Sequence, residues 1–228
     1  METINNNSEQ PSSLEELNQK ITSLEQEVQK LTVENQLLKQ QAVKDPQTEL
    51  LNKRGLHEAE ENIVASTLRD ITEGKNEERN IRTIFFDLNN LKEVNDTQGH
   101  KAGDFLIVQM AQYMNEIASR VGDVASRYAG DEFVLFLRND KRKDQDYLDI
   151  QREKYPNLKF SAGVVDIDLN DLYYKVVSEM GNENRDYSLI KERMLSELRK
   201  TKDLADATMY QAKKLNKEKS NFVFTNAS

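Results

Sequence analysis

The sequence predicts an α+β domain, a mixed or antiparallel sheet flanked by helices, preceded by an N-terminal parallel dimeric coiled coil. Three observations carry this. Apolar residues recur at heptad spacing near the N-terminus. Further on, short apolar runs alternate with segments of helical period. Two of those runs, Val124–Tyr128 and Phe133–Leu137, are separated by Ala129-Gly130, which is hairpin chemistry.

The bulk numbers bound the answer. A chain of 228 residues holds one medium domain plus an extension. With 37% hydrophobic and 32% charged residues it is polar for a single globule, so part of it should be solvated helix or tail. A net charge of −8 argues against a nucleic-acid polymer as partner but leaves room for a small nucleotide held through metal ions. Without cysteine there are no disulfides or thiolate zinc sites, and His57 and His100 are too few for a histidine-rich metal site. No apolar run approaches the ~20 residues that span a bilayer. The first residues lack a basic and apolar leader pattern. No membrane partner and a cytoplasmic location are expected.

Residues 1–12 are polar and expected to be disordered, with Ser12 or Ser13 capping the helix that follows. The coiled coil is expected over 13–44. Leu14, Ile21, Val28 and Asn35 fall at a, and Leu17, Leu24, Leu31 and Leu38 at d. β-Branched residues at a with leucine at d favour two parallel strands, and a single asparagine at a sets register and dimer state. In such a dimer Lys20 faces Glu25, and Glu34 faces Lys39, across the seam. Lys44-Asp45-Pro46 ends or kinks the coil.

Thr48 or Asn52 can cap a helix through about Ile71, with Leu56, Ala59, Ile63 and Leu68 on its apolar side. The run 73–78 reads as a loop. Ile81–Phe86 reads as a buried strand ending in Asp87, followed by a helical turn over Asn89–Asn95 and a loop from Gly99 to Gly103. A helix over Asp104–Arg120 shows Leu106, Met110, Met114 and Ile117 at core spacing. After the hairpin come a charged helix over Lys141–Tyr155, a strand over Leu158–Val165 and a helix over Leu169–Met180. A loop over Gly181–Asp186 leads to a helix running unbroken from Ser188 to Leu215. Its apolar face is Ile190, Met194, Leu198, Ala205, Met209 and Ala212. Ser220–Phe224 is a final edge strand.

Asp87 ends one apolar strand, and Asp131 and Glu132 sit at the hairpin tip. Unpaired carboxylates make poor core, because a buried charge costs several kcal/mol or shifts its pKa. Hard oxygens converging from separate strands suit Mg²⁺ and a nucleotide phosphate.

Here a resemblance enters. Arg127-Tyr128-Ala129-Gly130-Asp131-Glu132-Phe133, the run Phe86-Asp87-Leu88-Asn89-Asn90-Leu91-Lys92-Glu93-Val94-Asn95-Asp96, then Gly99-His100 and Gly103-Asp104, resemble the GGDEF family, the diguanylate cyclases. Asp45-Pro46-Gln47-Thr48-Glu49-Leu50-Leu51-Asn52-Lys53-Arg54 resembles the family's entry motif, and Ala205-Asp206-Ala207-Thr208-Met209-Tyr210-Gln211-Ala212-Lys213 its last helix. The resemblance covers residues 45–225 and implies a palm-like, ferredoxin-type domain. It implies condensation of two GTP into cyclic di-GMP and two pyrophosphates with Mg²⁺ or Mn²⁺.

The resemblance also implies roles. Asp87, the carbonyl of Leu88, Asp131 and Glu132 look like the metal ligands, with Glu132 alternatively a base. Lys92 looks like the lysine that offsets charge on the phosphates. The turn from Leu88 to Leu91, with Asn90 and Leu91 the GTP-binding positions, would point backbone N–H groups toward the triphosphate. Asn95 and Asp104 look like the guanine readers, and Asp104 can also cap the helix that follows it. Lys213 and Lys217 look like the cations for the β- and γ-phosphates; where relatives commonly have arginine, Lys217 lacks a fork. Arg120 and Asp123 match a product-inhibition site. Ala129 replaces the signature's first glycine, and Asn89 stands where many relatives have aspartate. A second reading is a degenerate GGDEF module that binds GTP or cyclic di-GMP as a regulator or scaffold. A third is a scaffold whose coil pairs partner proteins.

Overall fold

The computed structural model describes residues 14–75, 77–180, 186–215 and 220–226. Residues 1–12, Ser13, residues 181–185 and Lys217 lie outside the described residues, and with them the expected disorder, cap, loop and phosphate contact.

Two compact units follow each other in the chain, up to Ala42 and from Val43 onward. The first is a single helix, α1 (Leu14–Ala42). Its heptad stripe is exposed among the described residues: Leu17, Ile21, Leu24 and Leu31 are each 43–50% exposed, and Leu14, Val28 and Leu38 more so. Asn35 lies within the helix; its side chain is outside the described residues.

The second unit opens on a turn and α2 (Lys53–Thr72). Asn52, not Thr48, is the N-cap, its side chain accepting from the Gly55 N–H. Thr48 instead donates to Asp45 through both its backbone N–H and its hydroxyl. Then come β1 (Asn80–Leu88), α3 (Leu91–Gln98), α4 (His100–Ile117), β2 (Val124–Ala129), β3 (Glu132–Arg138) and α5 (Asp144–Lys154). The chain closes with β4 (Phe160–Asp168), α6 (Leu169–Met180), α7 (Tyr187–Leu215) and β5 (Asn221–Asn226).

The five-stranded sheet has the order β2-β3-β1-β4-β5. The first four strands are antiparallel, and β5 lies parallel on the edge beside β4. The fold is therefore the expected α+β class with a mixed sheet. One face carries Ile84, Phe86, Leu135 and Val164 against Met110, Tyr113 and Met114 of α4 and Tyr147 of α5. The other carries Phe85, Val134, Phe136 and Val165 against α2, α6 and α7. The α7 face is buried as expected from Ile190 to Ala212. Ala59 and Leu106 are only half-buried, because the next residues, Glu60 and Ile107, take the inward positions.

The expected loop from Gly99 to Gly103 is not one. A single residue, Gly99 (φ +85°), ends α3 by donating its N–H to the Asn95 carbonyl and at once begins α4. Asp104 consequently lies one turn inside α4 and caps nothing. Gly103 lies within α4, and it is a glycine because a Cβ there would sit 2.0 Å from Asn95 Oδ1. It is a gap for a neighbouring side chain, not a breaker.

Candidate active site

The acids meet at one end of the sheet because two antiparallel strands put them there. Asp87 near the end of β1 stands opposite Glu132 at the start of β3. The β2–β3 turn is Gly130-Asp131, so Glu132 already belongs to the strand. The positive φ of this turn falls on Gly130 (+47°), not on Ala129, so the alanine methyl meets no backbone strain. Ala129 is also exposed and pairs with Glu132, just after a register shift in the ladder between Arg127 and Ala129. The Leu88 N–H holds the turn by donating to the Asp131 carbonyl at 3.0 Å.

Helix α7 closes the site from one sheet face. Gly163 in β4 lets it approach: a Cβ there would meet the Ala205 carbonyl at 2.0 Å and the Met209 nitrogen at 2.4 Å. Lys213 thereby reaches Asp87, Nζ to Oδ1 2.7 Å. That oxygen is buried, and Lys213 is its charge partner. Burial, with Asp131 and Asp206 nearby, outweighs Lys213 and holds Asp87 above the usual carboxylate range. Burial likewise raises Glu132, helped by Asp206, Asp131 and Asp87.

Among the described residues, no three His, Cys, Asp or Glu side chains are gathered as a metal cluster. The donors are nonetheless of the kind a hard divalent cation takes: a buried carboxylate whose pKa stays raised despite its lysine, next to two more acids. A cation would relieve the repulsion that raises Asp87 and Glu132.

Two features of the β1–α3 turn differ from expectation. The Leu88 and Asn89 N–H groups are already used, by the Asp131 and Lys159 carbonyls. What remains for an anion is the start of α3, with Asn90 left-handed (φ +62°) and the first N–H groups of the helix beyond it. Asn89 is buried and accepts from the Ser161 hydroxyl at 2.9 Å, so it is part of the sheet's interior. Lys92 is exposed on α3.

Asn95 and Asp104 are brought together by the tight α3–α4 junction. Asn95 lies over Gly103, and Asp104 is the next residue along α4. Gln47 donates to Asp104, Nε2 to Oδ1 2.8 Å.

At the opposite end of β3, Asp123 is committed to backbone. Its Oδ2 accepts from the Arg120 N–H at 3.1 Å and its Oδ1 from the Arg138 N–H at 2.9 Å. The Arg120 guanidinium turns aside to the Asn139 carbonyl at 3.1 Å. A groove of about 690 Å³ beside Asp123 is lined by Arg69, Arg138 and Tyr187.

With this geometry in hand, comparison decides the family. The domain described as "Diguanylate cyclase, GGDEF domain" matches residues 42–219. The chain belongs to the GGDEF family. Among its GGDEF relatives is diguanylate cyclase DgcP of Escherichia coli K12, 30% identical over 200 residues, which are 86% of this chain and 51% of that protein. The bifunctional diguanylate cyclase/cyclic di-GMP phosphodiesterase MucR of Pseudomonas aeruginosa is 34% identical over 103 residues, 45% of this chain and 14% of that one. The chain thus spans about half the length, or less, of these relatives. The fold is shared with the coiled coil and GGDEF domain of DgcB from Caulobacter crescentus, crystallised with c-di-GMP. There the TM-score is 0.60 at 17% identity, over 91% of this chain and 99% of that one.

Sequence reasoning gave no role to Asp206 or Gln47. Asp206 lies two helical turns before Lys213 on α7, and that spacing was a usable signal. Gln47 carried none: its contact with Asp104 joins residues 57 positions apart.

Proposed function

We propose that this GGDEF domain is a diguanylate cyclase that condenses two GTP into cyclic di-GMP and two pyrophosphates with Mg²⁺ or Mn²⁺. The observation that carries the reading is Asp87: a buried carboxylate kept at the sheet end beside Asp131, Glu132 and Asp206 with a lysine as its counter-charge. A retired site has no reason to keep so much mutual repulsion. Asp87, the Leu88 carbonyl, Asp131 and Glu132 would hold the cations. When bound, these polarise the α-phosphate and lower the pKa of the attacking 3′-hydroxyl.

The chain's own groups do the remainder. The start of α3 at Asn90 and Leu91 presents N–H groups to the phosphates. Lys92 and Lys213 offset charge on the triphosphate, Lys213 by exchanging Asp87 for a phosphate oxygen. Lys217 is assigned the same role. Glu132, its pKa raised by burial and the neighbouring acids, would as the alternative to holding a cation take a proton from the 3′-hydroxyl. Asn95 and Asp104 accept from guanine's N1–H and 2-amino group, a pattern adenine lacks. Arg120 would bind anionic, guanine-bearing product by exchanging the Asn139 carbonyl for it, with Asp123 and the groove lined by Arg69 and Arg138 alongside.

Each domain holds one GTP and the product joins two, so two domains must face each other. The exposed stripe on α1 supplies the means, a parallel homodimeric coil. Incubating the protein with GTP and Mg²⁺ and resolving products by mass tests the reading. Cyclic di-GMP is expected, and bound but unconverted GTP would leave the degenerate-module reading in its place. Replacing Leu24 and Leu31 by glutamate should give a monomer whose specific activity falls on dilution and recovers on concentration.

A further inference from the structure

Gln47 belongs to the turn that follows α1, and its side chain touches two groups of opposite character. Arg127 Nη1 lies 2.6 Å from Gln47 Oε1. Gln47 Nε2 lies 2.8 Å from Asp104 Oδ1. A guanidinium only donates and an ionised carboxylate only accepts, so the amide has a single workable orientation. Arg127 is itself held fast. It meets Asp45 at 3.2 and 3.3 Å, and its Nε donates to the Gly130 carbonyl at 2.9 Å in the hairpin turn. Burial alone would raise the Asp45 carboxyl, but Thr48 and Arg127 outweigh it and hold its pKa below the usual carboxylate range.

We propose that Gln47 is a positioning residue for guanine recognition: set by Arg127, its amide holds one Asp104 oxygen so that the other faces the base. This rests on the assignment of Asp104 as a guanine reader made above. Asp104 is exposed on α4, where a free carboxylate would sample several rotamers. Fixing one oxygen lowers the ordering entropy that binding must overcome. The carboxylate then meets the N1–H and 2-amino donors in a set direction, beside Asn95. Loss of Gln47 should weaken guanine nucleotides and blur the distinction from inosine nucleotides, which lack the 2-amino group.

The alternative is that Gln47 only fills space, since it is half-buried. Two substitutions separate the readings. Gln47→Glu nearly preserves shape but sets a carboxylate against Asp104, while Gln47→Leu removes the donor without adding charge. A space-filling role ranks Glu milder than Leu, and a positioning role ranks it worse.

The experiment is calorimetric titration of the full chain, with Mg²⁺, using α,β-methylene GTP and its inosine counterpart. Thermal melts verify folding. Gln47→Leu should raise the Kd for the GTP analogue about fivefold and Gln47→Glu at least ~10-fold, both narrowing the guanine-to-inosine ratio. Asp104→Ala should abolish that ratio. If Gln47→Glu binds as wild type does, or better than Gln47→Leu, the Gln47 proposal is overturned. If Asp104→Ala alone loses the preference, guanine reading stands and only the Gln47 role falls. If Asp104→Ala keeps the wild-type preference, the assignment of Asp104 falls and the Gln47 role with it.

Discussion

At one end of β3 the chain sets Glu132 beside Asp87; at the other, just beyond Arg138, it sets Asp140. Both ends bury carboxylates, and they treat them oppositely. The Asp140 side chain is fully buried and fully answered. It accepts from Arg142 Nε at 2.9 Å, from the Arg142 N–H at 3.1 Å and from the Tyr147 hydroxyl at 2.5 Å. Burial pushes its pKa up, but the Arg142 and Tyr147 hydrogen bonds outweigh that and hold it below the usual range. Arg82 extends the network, forking onto Asp166 with both bonds at 2.8 Å. Asp87 has burial, like charges and one lysine, and its pKa rises. One end spends its charge on stability. The other keeps charge in reserve for a ligand, which is how functional sites usually depart from structural ones.

The largest test strikes the reserved end. Asp131→Ala should lower turnover by about 10³-fold or more while the domain stays folded. Wild-type-like product formation would remove the hairpin acids from the chemistry. Next comes the answered end. Asp140→Ala leaves Arg142 and the Tyr147 hydroxyl without their acceptor, a loss on the order of 3 kcal/mol. Melting should fall by roughly 6–12 °C, and an unchanged Tm would show that the network is ornamental.

The smallest thermal shift has the opposite sign. Asp87→Asn should abolish activity yet raise the ligand-free Tm by about 2–4 °C, because the fold is better off without that charge. A fall in Tm would show that the Lys213 pair dominates.

The pH response divides the same way. Asp140's folded pKa lies below its unfolded value of 3.8, so its stabilisation is present above that value and lost as pH falls through the folded pKa. Asp87's folded pKa lies above 3.8, so protonation relieves the fold as pH drops through it. In an acid melt series, Asp140→Asn should flatten the loss of stability below pH ~4, and Asp87→Asn should not.

What the sequence by itself determined is the periodic part. The heptads of α1, the strand runs 81–86 and 133–137 and the long α7 face all lie in local spacing, which one chain segment expresses alone. The site acids were legible too, because carboxylates ending apolar strands conflict with burial. What only the tertiary structure decided depends on residues meeting across the chain. Gly103 reads as a loop until Asn95 is found lying over it. Lys213 reads as a helix-end cation until Gly163 brings α7 close enough for it to face Asp87. Gln47 is an ordinary turn residue until Arg127 orients its amide toward Asp104. Contacts of this kind have no period, and distance along the chain conceals them.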